Sequence, residues 1–368
     1  MTTPRTPPRE SAPLVTGLTP EALGALMPRL GRPSVTRGHA LWRWLRGVGL
    51  PSAWPSTIDG IGHDALTALA AEFRLPDLRI EATHASTDGT LKWRLRGNDG
   101  HGGAFETVLI PTPRRATICV SSQSGCTRYC DFCATAQMSF GGQLSAGEIV
   151  AQVLLAQSRL TPAEKRATNV VFMGMGEPLD NLDAVLQAIT VLERGLHIAP
   201  TRVTVSTSGV VPRLEALCRA TRANVAVSLH ASTQEVRDRL MPKVARWPLA
   251  ELLATLRALS AADPRRIFFI ELALMAGVND GDADAERLVA AMAGIQARIN
   301  LIPLNPYPGS RYTRPTDGRI DAFRDIVARH GLVCVVRRSR GEDAAAACGQ
   351  LAGAALDATP PLVDNERP

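Results

Sequence analysis

From about residue 117 onward, short β-branched runs alternate with amphipathic ones, and this alternation restricts the possible folds more than any other feature of the chain. The strand candidates are ATICVSS, NVVFMGMG, RVTVSTSG, NVAVSLHA, RIFFIELALM, RINLIPLNP and LVCVVRRS. Between them lie helix candidates such as SAGEIVAQVLLAQSRL, LDAVLQAITVLERGL, VPRLEALCRAT, LAELLATLRALSAA, DADAERLVAAMAG and IDAFRDIVARHG. The first helix opens with Ser145 and Glu148 at capping-box spacing, and its apolar positions recur at three and four. Strand followed by helix, repeated at least six times, calls for parallel strands with helical crossovers. The expected class is α/β, as a complete or partial barrel.

The segment ahead of this pattern differs. Residues 18–75 read as helical, and 78–110 as a β-meander that turns at Asp88-Gly89. Together 18–110 form an expected accessory domain, with 1–17 a disordered lead, 111–345 the barrel, and 346–368 a C-terminal segment ending in a disordered tail. A chain of 368 residues suits one large core with a smaller piece attached. Trp42 and Trp44 sit at helical spacing and read as core rather than as a base-stacking pair. No apolar run approaches the roughly 20 residues of a membrane span, so no membrane partner is expected, and the N-terminal MTTPRTPPRESAP does not read as a signal peptide.

Seven cysteines is an odd number, and three of them are bunched, which points to reduced thiols in a cytoplasm rather than a secreted disulfide framework. The bunch is SGCTRYCDFCAT, with Cys126, Cys130 and Cys133 on a loop directly after the first barrel strand, where barrels gather their chemistry. A structural zinc site wants four ligands, and no Cys or His follows closely enough to complete one, although a remote fourth ligand stays open. Three thiolates suit three irons of a [4Fe–4S] cluster, with the fourth iron left to a small chelating ligand. The net charge of +6, carried almost wholly by arginine because Lys92, Lys165 and Lys243 are the only lysines, favours a polyanionic partner.

The C-x3-C-x2-C loop resembles that of the radical S-adenosylmethionine (SAM) superfamily, in which the open iron chelates SAM. The next strand ends in GMGEPL, where Gly174 and Gly176 lack a Cβ that would keep a ligand from the backbone, and Glu177 lies close behind. The motifs ETVLIP, ICVSSQSGCTRYCDFCAT, GEIVAQV, FMGMGEPLDN, VTVSTSGVVP, VSLHA, INLIPLNPYPG and RGEDAAAACGQLAG run in order over about residues 105–354. This set resembles the RlmN/Cfr family of RNA adenine methyltransferases, and is closest to its C2-methylating branch.

The resemblance implies a partial (β/α)6 radical SAM barrel and an enzyme that methylates C2 of an adenosine in 23S rRNA, with tRNA left open as a second substrate. Cys126, Cys130 and Cys133 would hold the cluster, while Gly176, Glu177, Ser206, Ser228, Leu229, His230 and Asn305 would line the SAM site. Cys348 would carry the methyl group, Cys119 would resolve the enzyme–RNA link through a disulfide, and Glu106 would accept the proton. C2 of adenine is electron-poor, so direct nucleophilic attack on SAM fails there; a radical route through S-methylcysteine avoids the problem at the cost of two SAM per turnover. It needs an external electron donor, a thiol reductant and a base extruded from its stack. A monomer is expected. Singly, Cys119 and Cys348 read as small buried hydrophobes, and Arg337, Arg338 and Arg340 as either a solvated basic turn or phosphate ligands. Two rivals remain at this point: C8 methylation with the same cysteines, and a non-catalytic iron–sulfur or zinc protein that binds RNA.

Overall fold

The computed structural model describes residues 12–26, 34–97, 103–113, 115–166 and 168–352, except for the side chain of Arg166. All seven expected barrel runs are strands: β4 (Arg115–Cys119), β7 (Asn169–Phe172), β8 (Val203–Thr207), β9 (Asn224–Ser228), β10 (Phe268–Leu274), β11 (Ala297–Pro303) and β12 (Val333–Val336). Each pairs in parallel with the next in that order. Crossovers carry α4 (Ala146–Gln157) with the short α5 (Pro162–Arg166), α6 (Leu182–Leu196), α7 (Val211–Ala220), the short α8 (Gln234–Leu240) with α9 (Leu249–Ala262), α10 (Asp282–Ala291) and α11 (Asp317–Arg329). Six βα units and a closing strand make a partial (β/α)6 barrel.

The meander is β1 (Arg79–Ala85), β2 (Leu91–Arg96) and β3 (Ala104–Thr112), and it is not a separate sheet. β3 pairs antiparallel with β4, so one sheet of ten strands runs β1-β2-β3-β4-β7-β8-β9-β10-β11-β12. The boundary expected at 110/111 therefore falls within a continuous ladder. The helices α1 (Pro20–Leu26), α2 (Val35–Val48) and α3 (His63–Glu72) pack on the barrel's outer layer, and one apolar cluster contains both Trp42 and the barrel strands. Trp42 is core, 1% exposed, and its indole Nε1 donates to Leu18 O at 3.0 Å. Trp44 is half-buried and stacks on Trp54 with centroids 6.1 Å apart.

Within the lead expected over 1–17, the described residues 12–17 are packed against the fold. Val15–Gly17 form a 3-10 turn, with Val15 and Thr16 buried; the Thr16 hydroxyl donates to Gly147 O at 2.9 Å. This turn, α6 and β3 all pack on α4, which is buried along nearly its whole length. The capping box at its start forms as the spacing predicted, with Ser145 N donating to Glu148 Oε2 at 2.9 Å. Residues 1–11 and 353–368, which include the expected tail, lie outside the described residues.

At the seam between β12 and β1 the C-terminal segment acts as a side-chain staple. Thr87 N donates to Asp343 Oδ2 at 3.0 Å, Gly341 N to Asp88 Oδ2 at 3.1 Å, and Lys92 Nζ to Ala345 O at 3.0 Å. These bonds anchor the segment carrying Cys348 over the barrel mouth. Among the described residues no helix is long and apolar enough to cross a membrane.

Candidate active site

The cysteine loop leaves the end of β4 and is pinched at its base, where β5 (Gln123–Ser124) pairs with β6 (Gly142–Gln143). Several elements hold it. Thr127 donates its hydroxyl to Asp180 Oδ2 at 2.6 Å, and the Arg128 guanidinium binds the same carboxylate. Asp131 N donates to Leu240 O at 2.9 Å, and the Asp131 carboxylate accepts from Arg311 Nε at 2.7 Å and from the Tyr312 hydroxyl. Ala134 N donates to Gly349 O at 2.7 Å and Thr135 Oγ1 to Leu351 O at 2.6 Å, so the loop and the Cys348 segment are bonded to each other.

Cys126, Cys130 and Cys133 line one cavity at the barrel mouth, together with Gly176, Glu177, Ser206, Ser228, His230, Asn305 and Cys348. Burial pushes the Cys126 thiol up to about 12 and raises Cys130 and Cys133 as well; repulsion among the three sulfurs adds to the first two. Thiols so desolvated give up their protons to a metal's charge, not to water. Among the described residues no three His, Cys, Asp or Glu side chains converge on a single ion. Three soft sulfurs on one loop, opening on one cavity, suit a cluster in which each sulfur meets a different iron. Glu177 is not poised as a fourth ligand, because Leu179 N reaches its Oε1 at 3.0 Å and Ser208 N its Oε2 at 2.7 Å. The residues present thus fit a [4Fe–4S] cluster held by three thiolates.

Other expected residues take more specific places. Gly176 has φ +106°, and a Cβ there would lie 2.7 Å from Gln123 Cβ; at Gly174 it would lie 2.7 Å from Val120 O. Both glycines line the cavity, and their missing Cβ atoms also make room for the residues that follow β4. Ser206 and Ser228 face each other across neighbouring strands, their hydroxyls 3.5 Å apart. His230 also has positive φ (+57°); its Nδ1 accepts from Ala273 N at 3.0 Å, and burial drives its pKa down to about 3, so the ring is neutral. Leu229 does not line the cavity: its side chain is 1% exposed in the core, and its carbonyl accepts from Arg237 Nη1 at 3.0 Å. Asn305 lines the cavity, yet its Nδ2 donates to Cys348 O at 3.2 Å and its Oδ1 accepts from the Ser339 hydroxyl. It ties the C-terminal segment to the end of β11.

Cys348 also lines a second cavity, with Cys119, Arg337, Arg338 and Arg340. Cys348 is an exposed residue at the mouths of these cavities, and desolvation by their walls raises its thiol pKa. Cys119 on β4 is buried, and its pKa is raised by that burial first and by the nearby Cys348 second. Glu106 lines neither cavity. It is 1% exposed on β3 with Lys92 Nζ 3.5 Å from its Oε1, and it shares a strand face with Val108, the cross-strand partner of Cys119.

Sequence reasoning missed two residues. Glu271 on β10 lines both cavities; burial raises its pKa, and Asn300 Nδ2 donates to its Oε1 at 2.7 Å. Arg237 is wholly buried and donates to Ser208 O at 2.7 Å and to the carbonyls of Ser228 and Leu229, which fixes the ends of β8 and β9. A lone acid in the apolar run FFIELAL was a readable signal for Glu271; nothing in EVRDRL marked Arg237.

The Radical SAM superfamily profile matches residues 120–289. A "Dual-specificity RNA methyltransferase RlmN" of Methylobacterium radiotolerans is 41% identical over 365 residues, covering 92% of this chain and 86% of the relative. The protein of that name from Phenylobacterium zucineum is 41% identical over 360 residues, covering 95% and 92%. A crystal structure of a radical SAM methyltransferase from Sphaerobacter thermophilus superposes with a TM-score of 0.85 at 38% identity, covering 92% of this chain and 99% of that one. These relatives span nearly the whole chain, and they decide for the enzyme over a non-catalytic metal protein. The chain belongs to the RlmN family of radical SAM methyltransferases, which carry a [4Fe–4S] cluster and use SAM.

Proposed function

We propose that this enzyme methylates C2 of adenosine in RNA, in 23S rRNA and in tRNA, and that Cys348 carries the methyl group. The observation that carries the reading is the place of Cys348, which lines both the cavity of the three cluster cysteines and the cavity of Cys119. The dual-specificity RNA methyltransferases it resembles supply the substrate class. When bound, the cluster and SAM supply a one-electron cleavage that yields a hydrogen-abstracting species.

The chain's own residues do the rest. Ser206, Ser228 and the remaining lone pairs of Glu177 offer polar contacts to a ligand in the first cavity, and the neutral His230 buttresses the wall through Ala273. Cys348 accepts the methyl group at sulfur, a soft nucleophile suited to displacement on a sulfonium. Asn305 and Gln350 hold its segment in place, Gln350 Nε2 donating to Pro306 O at 2.9 Å. Once a carbon link to the base has formed, release requires loss of the C2 proton and attack of Cys119 Sγ on Cys348 Sγ, which ends in a disulfide that an external thiol must reduce. Glu106 is the proton acceptor in this reading, joined through Lys92 to Ala345 of the same segment. Arg337, Arg338 and Arg340 rim the second cavity, where RNA phosphates would lie beside an extruded base.

Nucleoside mass spectrometry of rRNA and tRNA from cells with and without the gene tests the proposal. The expected product is 2-methyladenosine in both pools; 8-methyladenosine, or unchanged adenosine, refutes it.

A further inference from the structure

Outside both cavities, the cysteine loop presents a face that this reaction scheme has not used. Tyr129, between the first two cluster cysteines, takes the left-handed conformation at φ +51° and is 41% exposed. A non-glycine residue held there costs roughly 1 kcal/mol or more, and here the result is an exposed aromatic ring on a loop whose neighbouring residues are buried or half-buried. Lys243 Nζ lies 5.8 Å from that ring, on the turn Pro242–Val244, and the guanidinium of Arg246 lies 4.1 Å from the Trp247 ring. Arg128 approaches the same indole at 5.5 Å, and Arg311, 67% exposed, sits on Asp131 of the loop. Lys243 and Arg246 are exposed, and among the described residues no carboxylate pairs with either. Tyr129, Lys243 and Arg246 line neither cavity, so RNA reaching Cys348 through those openings does not need them.

We infer that this face docks a small acidic one-electron carrier protein, with Tyr129 at the contact beside the cluster and Lys243 and Arg246 steering the carrier's carboxylates. The inference rests on the proposed radical reaction, in which one electron passes from the carrier, oxidised by one unit, to the cluster held by Cys126, Cys130 and Cys133. Charge complementarity favours a protein carrier: unpaired cations beside an exposed ring form a patch that draws an acidic surface and raises its association rate, in a salt-dependent way. The expected cluster ligands Cys126 and Cys130 also flank Tyr129 in sequence, so its exposed ring belongs to the loop that holds them.

The test uses the holoenzyme and reduced plant-type ferredoxin as the acidic probe. Binding is measured by calorimetry, and 5′-deoxyadenosine formation is followed with ferredoxin and, separately, with dithionite, which is too small to need a docking face. For Lys243→Glu/Arg246→Glu the expected result is ferredoxin affinity weakened at least about tenfold, ferredoxin-driven turnover reduced in step, and dithionite-driven turnover unchanged. Lys243→Glu alone should give a smaller loss in the same direction, and added salt should reproduce the loss in the unmodified enzyme. Unchanged ferredoxin affinity, an equal fall with dithionite, or lost RNA affinity with ferredoxin binding intact would each overturn the inference. A lack of dithionite-driven turnover in the unmodified enzyme would instead bring down the radical reaction on which it rests.

Discussion

Gly176 and Lys92 show how single residues build this site. At Gly176 the constraint is backbone conformation plus a neighbour: alanine would be strained at φ +106° and would meet Gln123 Cβ at 2.7 Å. Gly176→Ala should cost about 1–3 kcal/mol locally and weaken SAM binding on the order of tenfold, as equilibrium dialysis would register; undiminished affinity would show that the β4 loop yields. Lys92, 5% exposed, joins Glu106 to the carbonyl of Ala345. Removing one partner of a buried ion pair typically costs about 3 kcal/mol, so Lys92→Met should lower stability by that order in urea unfolding. It should also slow product release more than methylation of Cys348, because the base and the segment lose the same anchor. The cysteine spacing was legible because cluster coordination is local in sequence. The partners of Glu271 and Arg237 come from other strands and loops, so the lone acid in FFIELAL showed where Glu271 stood but not what it faced, and nothing marked Arg237.

Among the elements, the hairpin β1–β2 is pinned by charge. Glu81 on β1 accepts from Arg94 Nε at 2.9 Å and also pairs with Arg96 and Arg79. The hydrogen bond from Arg96 is the largest single cause that holds its carboxyl down at about 2, against a burial that works the other way. Because the folded value is depressed, this contribution is fully present above the unfolded value near 4.5 and is lost as pH falls toward about 2. Glu81→Gln should therefore remove stability on the order of 2 kcal/mol at neutral pH and flatten the acid limb of the unfolding curve; a variant as acid-sensitive as the parent would contradict this. The barrel strands were legible because each is a β-branched run bounded by turn formers and followed by a helix of clear period. The merger of the meander with the barrel was not, since the β3–β4 pairing depends on a turn whose flanking runs read equally well as the edges of two sheets.

At the scale of the molecule, the cysteine loop is held by hydrogen bonds that its own residues donate to Asp180, Leu240, Gly349 and Leu351. Anaerobic chelation should therefore leave far-UV circular dichroism unchanged and lower the melting temperature by only a few degrees, unlike a zinc finger, which unfolds without its ion. Collapse of the dichroism would show that the cluster builds the fold. The account as a whole turns on Cys348, which the C-terminal staple holds between two cavities. Peptide mass spectrometry of the cluster-loaded enzyme after incubation with SAM tests this most directly. The account predicts one methyl group on Cys348, none on Cys119, and loss of the RNA product in Cys348→Ala; a methyl group on Cys119, or an active enzyme whose Cys348 stays unmodified throughout turnover, would contradict it.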